Sequence, residues 1–252
     1  MSHFDSYIIC TSPRSGSTLL CGMLAASGIA GDPQSYFHGA SLAEWRDDIG
    51  LLPSSDTSHR AGVAELFDVV MTQGRSGTAI FGLRLQWHSF DLFIRHLCFL
   101  YPNGTNQTGI DAAFGRTLFI HLTREDKLAQ AISYVKALQS GLWHKAPDGT
   151  EVERLAPPKD PHYDAPAIAK HVHQFREDDR AWQNWFSAEK INPLRFTYDA
   201  LSGDLSGTVG RIMVRLGLDP KAAQGIVPPV AKLLDDQSAR WAVRFKAEHT
   251  GK

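Results

Sequence analysis

Residues 6–24 read SYIICTSPRSGSTLLCGML, and a change of rhythm inside them decides the fold. Tyr7-Ile8-Ile9-Cys10-Thr11 is a β-rich run, whereas from Thr18 onward Leu19, Leu20, Met23 and Leu24 share one face of a helix. Between the two lies Ser12-Pro13-Arg14-Ser15-Gly16-Ser17, and Gly28 and Gly31 supply stop signals beyond. The segment reads as strand, glycine-bearing turn, helix.

The same alternation recurs downstream. Strands are expected at 79–85 (AIFGLRL) and 117–123 (TLFIHLT), both dense enough in apolar residues to be buried on both faces, and a shorter one at 194–198. Helices are expected near 90–99, 126–139 and 205–216, with Gly217 ending the last, and a long one at 168–190. That long helix carries Trp182, Trp185 and Phe186, an apolar stripe that belongs to a core. Strands alternating with helices predict an α/β fold, a central parallel sheet with right-handed crossovers. Two stretches break the rhythm: the polar 32–58 and the proline-rich 146–166, the latter either a solvated connection or an acceptor-site lid. With no repeat and no low-complexity linker, residues 1–252 are expected to form a single domain.

Composition narrows the function. The chain is 43% hydrophobic and 21% charged, which excludes disordered, collagen-like and coiled-coil classes. Twenty-six basic against 27 acidic residues leave a formal charge of −1, so nothing in the bulk field points to nucleic acid. Any anion site must be built locally. Cys10, Cys21 and Cys98 are odd in number and lack metal spacing, which fits a reducing compartment and no metal. Met1–Asp5 has no basic leader character and no apolar run approaches the ~20 residues of a membrane helix, so a cytoplasmic protein without an integral membrane segment is expected.

The first turn sits where α/β sheets bind phosphate. Unpaired N–H groups and the positive end of a helix dipole converge there; Gly16 permits close approach, and Ser15, Ser17 and Thr18 offer hydroxyls. Arg14 adds a permanent charge. No lysine precedes Ser17 or Thr18, so the Walker pattern of Mg²⁺-dependent nucleotide hydrolases is not met. Arg124, directly after the 117–123 strand, and Ser133 on the next helix point to the same crevice, at the carboxyl ends of the strands. Two anion anchors in one crevice suit a nucleotide phosphorylated at both ends of its ribose.

These residues resemble the sulfotransferases that use 3′-phosphoadenosine 5′-phosphosulfate, a P-loop-like three-layer fold. More narrowly, SYIICTSPRSGSTLLCGMLAASGIAGDPQSYF, Glu44-Trp45, FGLRLQW, HLTREDKLAQAISY, AWQNWF and Ser238-x-x-Trp241-x-x-Arg244 are similar in order to the bacterial trehalose 2-sulfotransferase family. The resemblance implies metal-free transfer of a sulfuryl group to a hydroxyl of a carbohydrate or glycolipid, in a homodimer. Arg14 would neutralise charge on the leaving phosphate. Ser17 and Thr18 would hold the 5′-phosphate, Arg124 and Ser133 the 3′-phosphate, while Tyr198 either lies near the nucleotide or simply packs.

Two positions depart from that family. Its glutamate, read as general base, follows the glutamine of a G-E-P-Q turn; here the turn is Gly31-Asp32-Pro33-Gln34 and Ser35 follows. Serine cannot take that proton unaided. Asp32 is the first candidate to replace it, His38 or His88 the next, unless a different acceptor tolerates a weak base. Pro13 stands where the family has a sugar-facing glutamine. Gln34 and Trp45 remain as expected sugar contacts; Arg84 would touch acceptor or sulfuryl group, or pair a carboxylate. The competing readings are a binding module that lost turnover with Ser35 and, behind it, a P-loop phosphotransferase.

Overall fold

The computed structural model describes residues 4–51, 59–231 and 235–249. In chain order the elements are β1 (Ser6–Thr11), α1 (Ser17–Ala26), α2 (Leu42–Asp48), α3 (His59–Arg75), β2 (Phe81–Gln86), α4 (Trp87–Leu100), α5 (Asn106–Phe114) and β3 (Thr117–Thr123). There follow α6 (Lys127–Ser140), β4 (Leu142–Lys145), β5 (Glu151–Arg154), α7 (Ala165–Ala188), β6 (Leu194–Thr197), α8 (Tyr198–Gly203), α9 (Leu205–Leu216) and α10 (Asp236–His249).

β2, β1, β3 and β6 form, in that order, one sheet in which every pairing is parallel. β1 is buried along its whole length, and its alternate side chains feed two different cores. Ile8 and Cys10 join Phe81, Leu83, Leu85, Phe119 and Trp182 on one face. Tyr7 and Ile9 join Leu20, Leu24, Ile120, Ile212 and Met213 on the other. The period-2 alternation of a strand thus builds a helix–sheet–helix sandwich, the three-layer α/β fold expected. A third cluster, with Ile132, Phe175 and Trp241, joins α6, α7 and α10.

The chain leaves β1 toward β2 on one side, then returns to place β3 on the other. β1 and β3 therefore flank the switch point, where the loops beyond their carboxyl ends diverge and open a crevice.

Several boundaries move for local reasons. α7 starts at Ala165 rather than 168, because Asp164 caps the Ala167 N–H and Pro166 occupies the first turn, where no donor is needed. Tyr198 opens α8 instead of ending the preceding strand. The expectation of an irregular 146–166 segment is corrected: Glu151–Arg154 pairs antiparallel with Leu142–Lys145 in a separate two-stranded hairpin. Within 32–58, Leu42–Asp48 is a helix capped by Ser41; residues 52–58 lie outside the described residues.

Gly31 illustrates why the turn after α1 is built as it is. Its φ is +72°, and a Cβ there would lie 2.4 Å from the Gly74 carbonyl oxygen. The following residues are pinned to the sheet edge, with the Arg84 N–H donating to the Gln34 carbonyl at 3.0 Å. Ser35 is thereby held beside β2.

Candidate active site

The turn between β1 and α1 is fixed from beneath. Thr11 Oγ1 donates to the Leu122 carbonyl (2.8 Å) and accepts from the Ser15 hydroxyl (2.5 Å). Trp182 Nε1 donates to the Thr11 carbonyl, and Gln130 Nε2 to both Ser12 Oγ and the Pro13 carbonyl. The expectation that Ser15 offers its hydroxyl to a ligand is corrected by this geometry. That side chain is fully buried and committed to Thr11, leaving only its backbone for an anion.

Arg14 and Gly16 take left-handed conformations, φ 61° and 88°, and such alternation curls backbone N–H groups into a concave anion cradle. Gly16 is required twice over, since a Cβ would lie 2.6 Å from Tyr198 Cδ2. No side chain caps α1 and no acidic residue lies in its first turn. Its N–H groups and positive dipole end thus remain available.

The two expected arginines meet over this cradle. Arg14 Nε donates to Ser133 Oγ (3.0 Å) and its Nη1 to the Trp143 carbonyl (2.7 Å). Arg124 stacks its guanidinium 4.6 Å over the Tyr198 ring and donates from Nη1 to the Arg14 carbonyl at 3.3 Å. Neither has a carboxylate ion-pair partner among the described residues. Burial, then the neighbouring Arg124 charge, lowers the Arg14 pKa to about 10; burial also lowers that of Arg124. Both stay cationic at neutral pH. Two like charges held together without carboxylates are unfavourable alone and become favourable around a polyanion.

Arg84 defines the opposite wall. Its Nε donates to Ser35 Oγ (2.7 Å) and its Nη1 to Thr18 Oγ1 (2.8 Å), so its partners are two hydroxyls and not a carboxylate. Thr18 Oγ1 also lies 3.1 Å from His144 Nε2 on β4, and that nitrogen is 3.5 Å from Glu153 Oε2 on β5. Sequence reasoning passed over His144 and Glu153, because 142–145 was assigned to no element and 146–166, which holds Glu153, was read as loop. Trp143, immediately after the helix bearing Ser133, is the cue that was available.

Arg14, Thr18, Arg84, Arg124, His144 and Glu153 line one cavity of about 1280 Å³, above the ~300–1,000 Å³ of a site for one drug-sized ligand. Gln34, Ser35, His38, Asp48 and His88 also line it, as do Leu205, Pro228, Val230 and Ala242. His38 and His88 touch ring to ring, 4.8 Å between centroids, and burial lowers the pKa of each. Ser238 and Ala239 of α10 also face the cavity. Among the described residues no three His, Cys, Asp or Glu side chains form a metal-sized cluster, and no helix is long and apolar enough to cross a membrane.

Two expected residues stand elsewhere. Asp32 is absent from the cavity lining; its Oδ1 accepts from Gln34 Nε2 (2.7 Å), and its carbonyl accepts from the Tyr36 hydroxyl. The proposal of Trp45 as a sugar contact is corrected outright. Trp45 is 0% exposed, packs edge-on against Phe37 at 5.1 Å and donates to the Gly39 carbonyl. Trp45→Ala is therefore expected to cost about 3–5 kcal/mol of stability, read by denaturant unfolding, rather than to change acceptor KM selectively.

Three comparisons extend the geometry. The family described as Stf0 sulphotransferase matches residues 6–248. A trehalose 2-sulfotransferase of Mycolicibacterium smegmatis is 28% identical, covering 98% of this chain and 96% of that relative. One from Mycobacterium tuberculosis is 29% identical, over 96% and 94%. The solved sulfotransferase domain of the Synechococcus PCC 7002 olefin synthase shares the fold, with TM-score 0.50 and 17% identity over 98% of this chain and 89% of that one.

Proposed function

The chain belongs to the Stf0 sulphotransferase family, and from that premise we propose that it transfers a sulfuryl group from 3′-phosphoadenosine 5′-phosphosulfate to a hydroxyl of a carbohydrate or glycolipid, trehalose-like sugars included. The observation that carries this reading is the pairing of Arg14 and Arg124 over the uncapped N-terminus of α1, in one cavity and, among the described residues, without carboxylate ion-pair partners.

The donor fits these residues. Gly16 lets the turn close against the Tyr198 ring and leaves the uncapped amides of α1 for a phosphate, and the two arginines supply charge for groups at both ends of a ribose. The donor contributes an activated sulfur–oxygen–phosphorus link; the chain binds, orients and neutralises. In this reading Ser17, Thr18 and the α1 amides hold the 5′ end, with Arg14 at the leaving oxygen. Arg124, Ser133 and Tyr198 hold the 3′ end. Gln34, Ser35 and Arg84 border the acceptor. The sugar acceptor is supported by the two mycobacterial relatives. A homodimer and a reducing, cytoplasmic setting belong to the same proposal, supported by the family likeness and by three free cysteines.

The test is thermal stability with adenosine 3′,5′-bisphosphate, ATP and GTP, each with and without Mg²⁺. Ligand at ~100 times its dissociation constant adds about 2.7 kcal/mol, a rise of roughly 5–10 °C for a chain near this size. The expected result is a shift with the bisphosphate that ignores Mg²⁺. A Mg²⁺-dependent shift with ATP or GTP alone would transfer the site to a phosphotransferase.

A further inference from the structure

Where the resembling family has its glutamate, this chain has Ser35, whose hydroxyl is taken by Arg84. From Ser35 a continuous chain of contacts crosses the cavity wall. It runs through Arg84 to the Thr18 hydroxyl, on to His144 Nε2, and ends at Glu153 Oε2. We propose that the proton acceptor of the reaction has moved along this chain to the β4–β5 hairpin, where His144 Nε2 takes the acceptor hydroxyl proton and Glu153 stabilises the resulting imidazolium. The inference rests on the sulfotransferase reading.

Position argues first. Thr18 stands in the first turn of α1, where the 5′ end of an anionic donor would sit, and His144 lies one hydrogen bond from it. Both His144 and Glu153 line the cavity. Asp32 does not.

Protonation state argues second. Thr18 Oγ1 accepts from Arg84, and its contact with His144 Nε2 at 3.1 Å runs in either direction according to the imidazole tautomer. Burial and the neighbouring charges of Arg14 and Arg84 hold His144 neutral, as a base must be. In the tautomer with its proton on Nδ1 the single Nε2 lone pair is the site of transfer, the acceptor hydroxyl taking the place of the Thr18 contact, and the Glu153 oxygen 3.5 Å from that nitrogen then receives the new N–H. Its contact becomes an ion pair only once the proton arrives.

The surrounding charges are Arg14 from the first turn, Arg84 from β2 and Glu153 from β5, with His38 elsewhere in the cavity lining; Lys145, Glu151 and Arg154 share the hairpin. Burial, Arg14 and Arg84 lower the His144 pKa to about 3. A polyanionic donor between those arginines offsets their charge, raising the imidazole pKa when a base is needed.

The acceptor oxygen forms its bond to sulfur while the bond from sulfur to the phosphate oxygen breaks. The electron pair leaves on that phosphate oxygen, and the acceptor proton passes to Nε2.

The experiment compares wild type with His144→Ala and Glu153→Gln, using the phosphosulfate donor, with trehalose and then water as acceptor. His144→Ala is expected to lower kcat about 10²–10³-fold, with bisphosphate affinity within about threefold and partial rescue by added imidazole. Glu153→Gln is expected to move the acid limb of the pH profile to lower pH, because an imidazolium without its carboxylate loses its proton more readily. Unchanged kcat in His144→Ala, or loss of kcat in Asp32→Asn instead, would overturn the inference. So would loss of rate matched by loss of donor affinity.

If wild type transfers to neither acceptor, NMR titration of the His144 ring still decides, assigned by its disappearance in His144→Ala. Its pKa must rise by more than about one unit on bisphosphate binding, and an unmoved pKa would overturn the inference. Absence of bisphosphate binding to wild type would instead defeat the donor assignment itself.

Discussion

Replacing Arg14 with alanine is expected to lower kcat by about 10²–10³-fold at saturating donor, the loss that follows removal of a single preorganised donor to developing charge. Arg14 is the residue in which local strain, burial and charge coincide. Its backbone is left-handed at φ 61°, a conformation that costs a non-glycine residue energy and needs the surroundings to hold it. Those surroundings are the bonds from Gln130 to Ser12 and Pro13 and from Arg124 to the Arg14 carbonyl. Its guanidinium is fixed by Ser133 and Trp143, so little reorganisation is required when charge appears nearby. Arg14→Lys keeps the charge and loses the planar fork, and should recover only part of the rate. Steady-state kcat with each variant checks both statements. A kcat for Arg14→Ala within threefold of wild type would remove Arg14 from the leaving-group side.

Arg124→Ala should weaken adenosine 3′,5′-bisphosphate binding by about 10–150-fold, the equivalent of one charge-assisted contact of 1.5–3 kcal/mol. Binding of adenosine 5′-monophosphate should change by no more than about twofold. The contrast isolates the 3′-phosphate, because both nucleotides share everything else. Arg124 is pre-positioned by the Tyr198 face at 4.6 Å and by the Arg14 carbonyl. Calorimetric titration of both nucleotides reads the ratio directly. Equal weakening would mean that Arg124 supports the loop and does not read the ribose.

Much of this architecture was legible in the chain because local and global signals agree there. β1, β3 and α9 fall where periodicity placed them, since strands buried on both faces must be apolar throughout. Arg124 and Ser133 could be joined to Arg14 because ligand sites follow strand ends, a rule of topology rather than of composition. Trp45 misled because it stands among Glu44, Arg46, Asp47 and Asp48 in a short helix that buries one side chain. Only packing by Phe37 and its neighbours reveals that burial. The Ser15 hydroxyl misled for the mirror reason, since a partner four residues away in a tight turn leaves no pattern. β4 and β5 escaped because strands of four residues with no fully buried position carry too little alternation to read. His144 and Glu153 escaped with them.

The anchoring of the first turn by Leu122, Gln130 and Trp182 has a consequence in time as well as in space. A loop already held in its binding shape has no ordering step to complete, so arrival of the nucleotide is governed by diffusional encounter and by the pull of the two arginines. Discrimination among nucleotides then resides in departure. A correctly phosphorylated ligand stays, an incomplete one leaves quickly, and residence time becomes the quantity on which selectivity is written.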